Sequence, residues 1–249
     1  ISAYAKVGRA DDAARLLRQM GLAGIRPDVV AYNSLLEARA RAGQPLQAAA
    51  LLRRMEREAA ATAAAAAAAE EGAAVGEVGA IAAGGDLRAS GASGVRPDAI
   101  SYTVVLAAFG KRGNVARAAE WFERMRAVGV RADTGCYNAL LRAYADAGRM
   151  ADAQTLLAQM RQDGVEPDQW SFGPLLDRCR AARDTRNAIV FGRLMLRNRS
   201  AISSFGLSAL RRTVGASRVR ALGRECQVLD HPLLRQATAR GSGGVGGGG

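Results

Sequence analysis

Apolar positions recur at helical spacing along most of the chain, in short runs that glycine closes. One run, 100–111, carries Ile100, Val104, Ala107 and Ala108 on its stripe, and Gly113 follows as a C-terminal stop. The next run, 115–126, sets Ala118, Trp121, Phe122 and Met125 on one stripe and ends at Gly129. A short extended link then leads into the following run. In three such links a proline stands just before the last residue, in Arg26-Pro27-Asp28, Arg96-Pro97-Asp98 and Glu166-Pro167-Asp168. Proline cannot continue a helix, and the aspartate can cap the helix that follows. The pattern predicts a helix–turn–helix hairpin.

The hairpin repeats. Methionines stand at Met20, Met55, Met125, Met160 and Met195, with spacings of 35, 70, 35 and 35. The same ruler carries Ala13, Ala48, Ala118, Ala153 and Ala188, then Gly8, Gly43, Gly113 and Gly148, then Tyr32, Tyr102, Tyr137 and Phe172. Four columns in one register define a repeat of 35 residues. Each hairpin leaves an apolar face uncovered, so neighbours must stack, and the expected fold is an all-α, right-handed α-solenoid.

The register divides the chain into a partial unit at 1–28, a unit at 29–98 with an insertion, units at 99–133 and 134–168, and a degenerate unit at 169–203. The insertion, at about 59–92, adds one repeat length, but Ser90 falls where the methionine column would lie and Ala67 where the aromatic would. An Ala run followed by Gly-rich sequence reads instead as a helix extension and then a flexible loop. Segment 204–238 keeps helical spacing (Leu207, Leu210, Val214, Val219, Leu222) and is expected to form a basic helical cap. The Gly-rich end, 239–249, reads as a disordered tail. Ile1 falls inside a repeat, so the chain is expected to be a piece of a longer protein.

Composition narrows the class. Half the residues are apolar but only 5% are aromatic, which suits helices packed through small side chains. No uncharged run of membrane-spanning length occurs, so a soluble protein without membrane association is expected. The cysteines, Cys136, Cys179 and Cys226, form no CxxC pair, and His231 is the lone histidine. Reduced thiols in an intracellular compartment fit better than zinc or disulfides, with Cys136 as a packing residue. The net charge of +12 is uneven: residues 1–168 hold 21 Lys+Arg against 19 Asp+Glu, whereas 169–249 hold 14 against 4. That basic end suits an anionic partner, RNA before membrane, or is a solvated tail. Only Lys6 and Lys111 are lysines, which a GC-rich coding sequence explains.

Segments such as Val30-Ala31-Tyr32-Asn33-Ser34-Leu35-Leu36 and Gly129-Val130-Arg131-Ala132-Asp133, on a 35-residue period, resemble the pentatricopeptide repeat (PPR) family. The related tetratricopeptide repeat runs 34 residues with a different pattern. The resemblance covers about 1–203, weakens in the fifth unit, and with uniform unit length is similar to the P class. It implies a reader of single-stranded RNA, one base per unit. The base-selecting positions, by resemblance, are the fifth and last residues of a unit: Asn33 with Asp98, Thr103 with Asp133, and Asn138 with Asp168. Asp28 closes the first unit, and Gly173 leaves the fifth blank. A carboxylate accepts the imino proton of uracil or guanine, where adenine and cytosine present an acceptor. By the family's preferences the footprint is 5′-(U/G)-U-G-U-3′. Each aspartate could instead serve only as a helix cap, and Asn33, Thr103 and Asn138 could lie on a solvated face.

The resemblance also assigns base stacking to second positions, here Val30, Ile100 and Trp170, with Gly135 departing from the apolar norm. Trp170 could equally pack against the last hairpin. Lys6, Arg41 and Lys111, at equivalent ends of first helices, are candidates for phosphate contact, and Asp146 breaks that stripe. The implied function is sequence-selective RNA binding in organellar RNA metabolism (transcript stabilisation, processing or translation), without catalysis by this segment. An α-solenoid scaffold for protein partners, or the RNA-binding part of a longer enzyme, are the alternatives. Zinc deaminases, which some family members carry, need His-x-Glu and CxxC, both missing here. A two-metal nuclease needs an acidic cluster, and only Asp177, Asp184, Glu225 and Asp230 follow residue 168. No cofactor or metal is expected, and the expected state is a monomer. The GC-rich, Ala-tract style of a green-algal nuclear gene favours the chloroplast over the mitochondrion.

Overall fold

The computed structural model describes residues 1–73 and 95–239. Among them the chain forms thirteen α-helices and no strand. They are α1 (Ser2–Lys6), α2 (Ala10–Leu22), α3 (Val29–Arg41), α4 (Pro45–Ala73), α5 (Ala99–Lys111), α6 (Val115–Ala127) and α7 (Thr134–Asp146). There follow α8 (Met150–Gln162), α9 (Gln169–Ala182), α10 (Thr185–Arg197), α11 (Ser204–Val214), α12 (Ala216–Glu225) and α13 (Pro232–Ala239), with a 3-10 turn at Arg199–Ala201. The chain divides into two compact units: Ile1–Ala108 with Ala127–Val130, and Phe109–Arg126 with Arg131 onward. The loop expected in the later part of the insertion (74–92) and the Gly-rich tail lie outside the described residues.

Each sequence column has a physical reason. Gly8, Gly43, Gly113 and Gly148 hold φ between +70° and +72°, a left-handed conformation that costs a side-chain-bearing residue energy. At Gly43 the turn closes as a Schellman pair, with Gln44 N–H donating to the Arg39 carbonyl and Gly43 N–H to that of Ala40. The alanine column is fully buried from Ala13 to Ala188, in an interior where close packing penalises a change of volume. Met55, Met125, Met160 and Met195 are fully buried too, as are Tyr102, Tyr137 and Phe172. In the first unit the Tyr102 hydroxyl donates to Glu56 at 2.7 Å, and in the second the Tyr137 hydroxyl donates to Asp163. Burial, and then that bond, push the Tyr137 phenol well above its usual range.

The buried face of α5 differs from the stripe its spacing suggested. Tyr102, Val105, Leu106, Ala108 and Phe109 are buried, whereas Ile100 is 59% exposed. The helix is apolar on nearly every side, so periodicity alone does not phase it. In α6 the expected stripe is the buried one: Ala118, Trp121, Phe122 and Met125 are all inside.

Within the second unit, hairpins are tied by polar bonds near their ends. Asn198 Nδ2 donates to the Pro167 carbonyl at 2.6 Å, and Gln154 Nε2 to Asn187 Oδ1 at 2.8 Å. Arg193 pairs with Glu225 and Arg199 with Asp230, both at 3.0 Å. Asp184 caps α10, and its bonds from Asn187 hold the carboxyl below its ordinary value. Cys136 and Cys179 are buried, and burial raises the Cys179 thiol to about 12, so it stays protonated at neutral pH. No described helix is long and apolar enough to cross a membrane.

Candidate nucleic-acid interface

Asn33 and Asn138, on first helices, lie close to the aspartates that end the links closing their own units, where each link leads into the N-terminus of the next first helix. Asp28, Asp98, Asp133 and Asp168 each accept a backbone N–H of the helix they precede, from Ala31, Ser101, Cys136 and Ser171. Capping is thus one role of all four. At two of them a second role is built on top. In the first unit Asn33 Nδ2 donates to Asp98 Oδ1 at 3.1 Å, across a sequence separation of 65 residues. In the second, Asn138 Nδ2 donates to Asp168 Oδ1, also at 3.1 Å.

A serine completes each pair. Ser101 Oγ donates to Asn33 Oδ1 at 2.6 Å and accepts from the Asp98 N–H at 3.2 Å. Ser171 Oγ donates to Asn138 Oδ1 at 2.6 Å and accepts from the Asp168 N–H at 3.0 Å. Both serines are fully buried, whereas the asparagines and their aspartates are half-buried. The arrangement occurs twice with the same bonds, 70 residues apart in the serines. The family resemblance pointed to Asn and Asp; the serine was missed, although it recurs one residue before the buried aromatics Tyr102 and Phe172.

The closed network fixes what the pair presents. One Asn amide hydrogen and the amide oxygen are taken by Asp and Ser, which leaves the second Nδ2 hydrogen as a donor. At Asp168 the cap and the asparagine both fall on Oδ1, so Oδ2 is the acceptor left for a ligand. At Asn138 and Asp168 a donor therefore stands beside an acceptor, on two half-buried side chains.

The other candidate positions are placed as follows. Thr103 is half-buried and its hydroxyl donates to the Ala99 carbonyl at 2.9 Å. Val30, Ile100 and Trp170 project from first helices with 64%, 59% and 68% exposure, while Gly135 offers no side chain. Trp170 is thus not packed away against the following hairpin. Phe205, on α11 and one repeat length beyond Trp170, is 58% exposed and continues the column. Its ring carbons lie 3.6 Å from where a side chain at Gly173 would begin. Trp170, Gly173 and Phe205 line a groove of about 570 Å³ together with Arg142 and Arg178. Lys6, Arg41 and Lys111 are exposed, but Arg41 is engaged by Glu37 at 2.5 Å. Asp146 is held by Arg142 at 3.1 Å. No cluster of three or more metal-ligating side chains occurs among the described residues.

Comparison with known proteins bears on the same segments. Residues 1–60 match the pentatricopeptide repeat domain, 100–130 the PPR repeat, and 132–180 the PPR repeat family. The chain belongs to the pentatricopeptide repeat family. This PPR chain is similar to the crystal structure of PPR10 from maize, with a TM-score of 0.57 and 21% identity, over 96% of this chain and 31% of that one. It is similar to the crystal structure of PPR10 in complex with an 18-nt psaJ RNA element at the same TM-score and identity, over 76% of this chain and 23% of that one. The PPR chain therefore spans no more than about a third of the length of these relatives. No curated protein matches it. At this level of identity the likeness establishes the fold, an all-α solenoid of PPR repeats.

Proposed function

We propose that this chain binds single-stranded RNA in a base-selective way, without catalysing a reaction. The observation that carries the reading is the network that twice sets an asparagine amide donor beside a carboxylate, with Oδ2 left open at Asp168 and also met by Asn33 Nδ2, at 3.3 Å, at Asp98. Uracil offers a carbonyl oxygen next to an N–H, and so matches a donor followed by an acceptor. Cytosine and adenine offer the reverse order and leave the aspartate oxygen facing a lone pair. Guanine shares the order of uracil but is larger. The family resemblance assigns uracil to Asn with Asp and guanine to Thr103 with Asp133, and gives the footprint 5′-(U/G)-U-G-U-3′, with Asp28 contributing the partial first letter.

Other features support an RNA partner. Val30, Ile100 and Trp170 are exposed apolar side chains in register, suited to stack on bases. Lys6 and Lys111 are exposed where phosphates would pass, and Arg41 would have to leave Glu37 to join them. A solved relative of the same fold is in complex with an RNA element. In this reading the chain acts as a monomeric P-class array in organellar RNA metabolism, in the chloroplast before the mitochondrion, and stabilises, processes or opens a transcript by occupying it. Anisotropy titration tests the reading: single-stranded RNA carrying the footprint should bind more tightly than the same sequence as duplex. Equal binding to both, or to neither, would sink it.

A further inference from the structure

The two buried serines do more than cap helices. They occupy the third position of the unit that follows each asparagine, and both are inaccessible to solvent. In register with them stand Ala31, Cys136 and Gly206. Packing in this column therefore asks only for a small residue: a side chain at Gly206 would begin 2.8 Å from Met195 Sδ. A hydroxyl appears where the base-facing residue of the preceding unit is asparagine, and not where it is Thr103 or Gly173.

We propose that Ser101 and Ser171 are specificity-positioning residues, which hold the Asn33 and Asn138 amides in the orientation that donates toward RNA. The inference rests on the RNA reading above. Its physical basis is the direction of the bonds. An amide can turn over and exchange its oxygen and nitrogen, and only its partners decide between the two orientations. The aspartate carboxylate favours the nitrogen on its side, at 3.1 Å in both copies. The serine hydroxyl holds the oxygen on the other side, at 2.6 Å in both. The hydroxyl also lies 2.9 Å and 3.1 Å from the aspartate Oδ1 in the two copies, so the amide oxygen is the nearer of its two acceptors. Without the hydroxyl, the amide oxygen loses its buried partner and the side chain can rotate to present an acceptor to the groove. An acceptor there suits cytosine or adenine. The serines thus touch no base, and act through the asparagines.

The test uses the full chain and two sets of four single-stranded RNAs, UUGN read by Asn138 and Asp168 and UNGU read by Asn33 and Asp98, with N set to each base. Wild-type protein should prefer U. Ser171→Ala should lower the ratio of cytosine to uracil dissociation constants by about fivefold, the size of one lost hydrogen bond. Discrimination at the other letters should stay unchanged. Ser171→Cys, a residue this column already accepts at Cys136, should behave the same way and guards against a folding defect in the alanine variant. Ser101→Ala should relax only the earlier U. A uniform loss across all four RNAs, or an unchanged ratio, would overturn the positioning role while leaving the RNA reading intact. If wild-type protein shows no preference for U at either letter, the RNA reading fails, and this inference with it.

Discussion

The fourth repeat, 134–168, and the fifth, 169–203, share a scaffold and differ in what they show to the groove. Their buried columns agree: Ala153 and Ala188, Met160 and Met195, Tyr137 and Phe172 are all inside. The differences lie at turns and on the open face. Gly148 makes a left-handed turn at φ +72°, and Arg183 makes the same turn at φ +54° despite its side chain. Tyr137 bonds Asp163 through its hydroxyl, which Phe172 lacks. Asn138 faces Asp168, whereas Gly173 is followed by Pro174 inside α9 and by Ser203 in place of the terminal aspartate. A repeat can lose its groove chemistry while its packing columns keep it folded. Degeneracy here is a loss of groove-facing side chains, not of structure.

That contrast can be broken most forcefully through the methionines. Met160→Ala and Met195→Ala should each cost about 2–5 kcal/mol, because both leave a cavity in a closed core. Denaturant unfolding of the two variants would measure it. A near-neutral Met195→Ala would mean that the fifth repeat is loosely packed after all. The next effect is smaller. Tyr137→Phe should lose about 1–2 kcal/mol by removing a charge-assisted bond, while Phe172→Tyr gains nothing of that size. Hydrogen exchange at the ends of α8 and α10 would separate the two; equal responses would erase the difference. Smallest is the turn. Arg183→Gly should raise stability by about 0.5–1 kcal/mol, as relief of the left-handed strain outweighs the added freedom of the unfolded chain. A thermal melt that moves down would show that Arg183 contributes through contacts instead.

Much of the scaffold was legible because the repeat multiplies its own signal. A single glycine or alanine says little, but Gly8, Gly43, Gly113 and Gly148 on one ruler mark left-handed turns, and that is what they form. The buried face of α5 was less legible. Its sequence is apolar almost all round, so exposed Ile100 could not be told from buried Val105 by spacing. At the interface, Asn and Asp were singled out by the positions that the family resemblance assigns. Ser101 and Ser171 did not, since a serine near a helix start is ordinary and its bond to an asparagine a repeat away exists only after folding. Beyond residue 203 the columns fade: Leu207 replaces the aromatic and Gly223 the alanine. Yet α11 begins one repeat length after α9 and carries Phe205 in the stacking column. Substitution within a class, aromatic to leucine or alanine to glycine, hides a position from type-matching without removing its packing role.

The measurement that bears most directly on the account is a base scan across two adjacent letters. Full-length chain would be titrated with single-stranded RNAs that vary only the base opposite Asn138 and Asp168, and then only the base opposite Gly173. The account predicts a clear preference for uracil at the first letter and affinity independent of base at the second, where Trp170 and Phe205 can stack on any ring. Equal affinity for all bases at the first letter, or a sharp preference at the second, would contradict it.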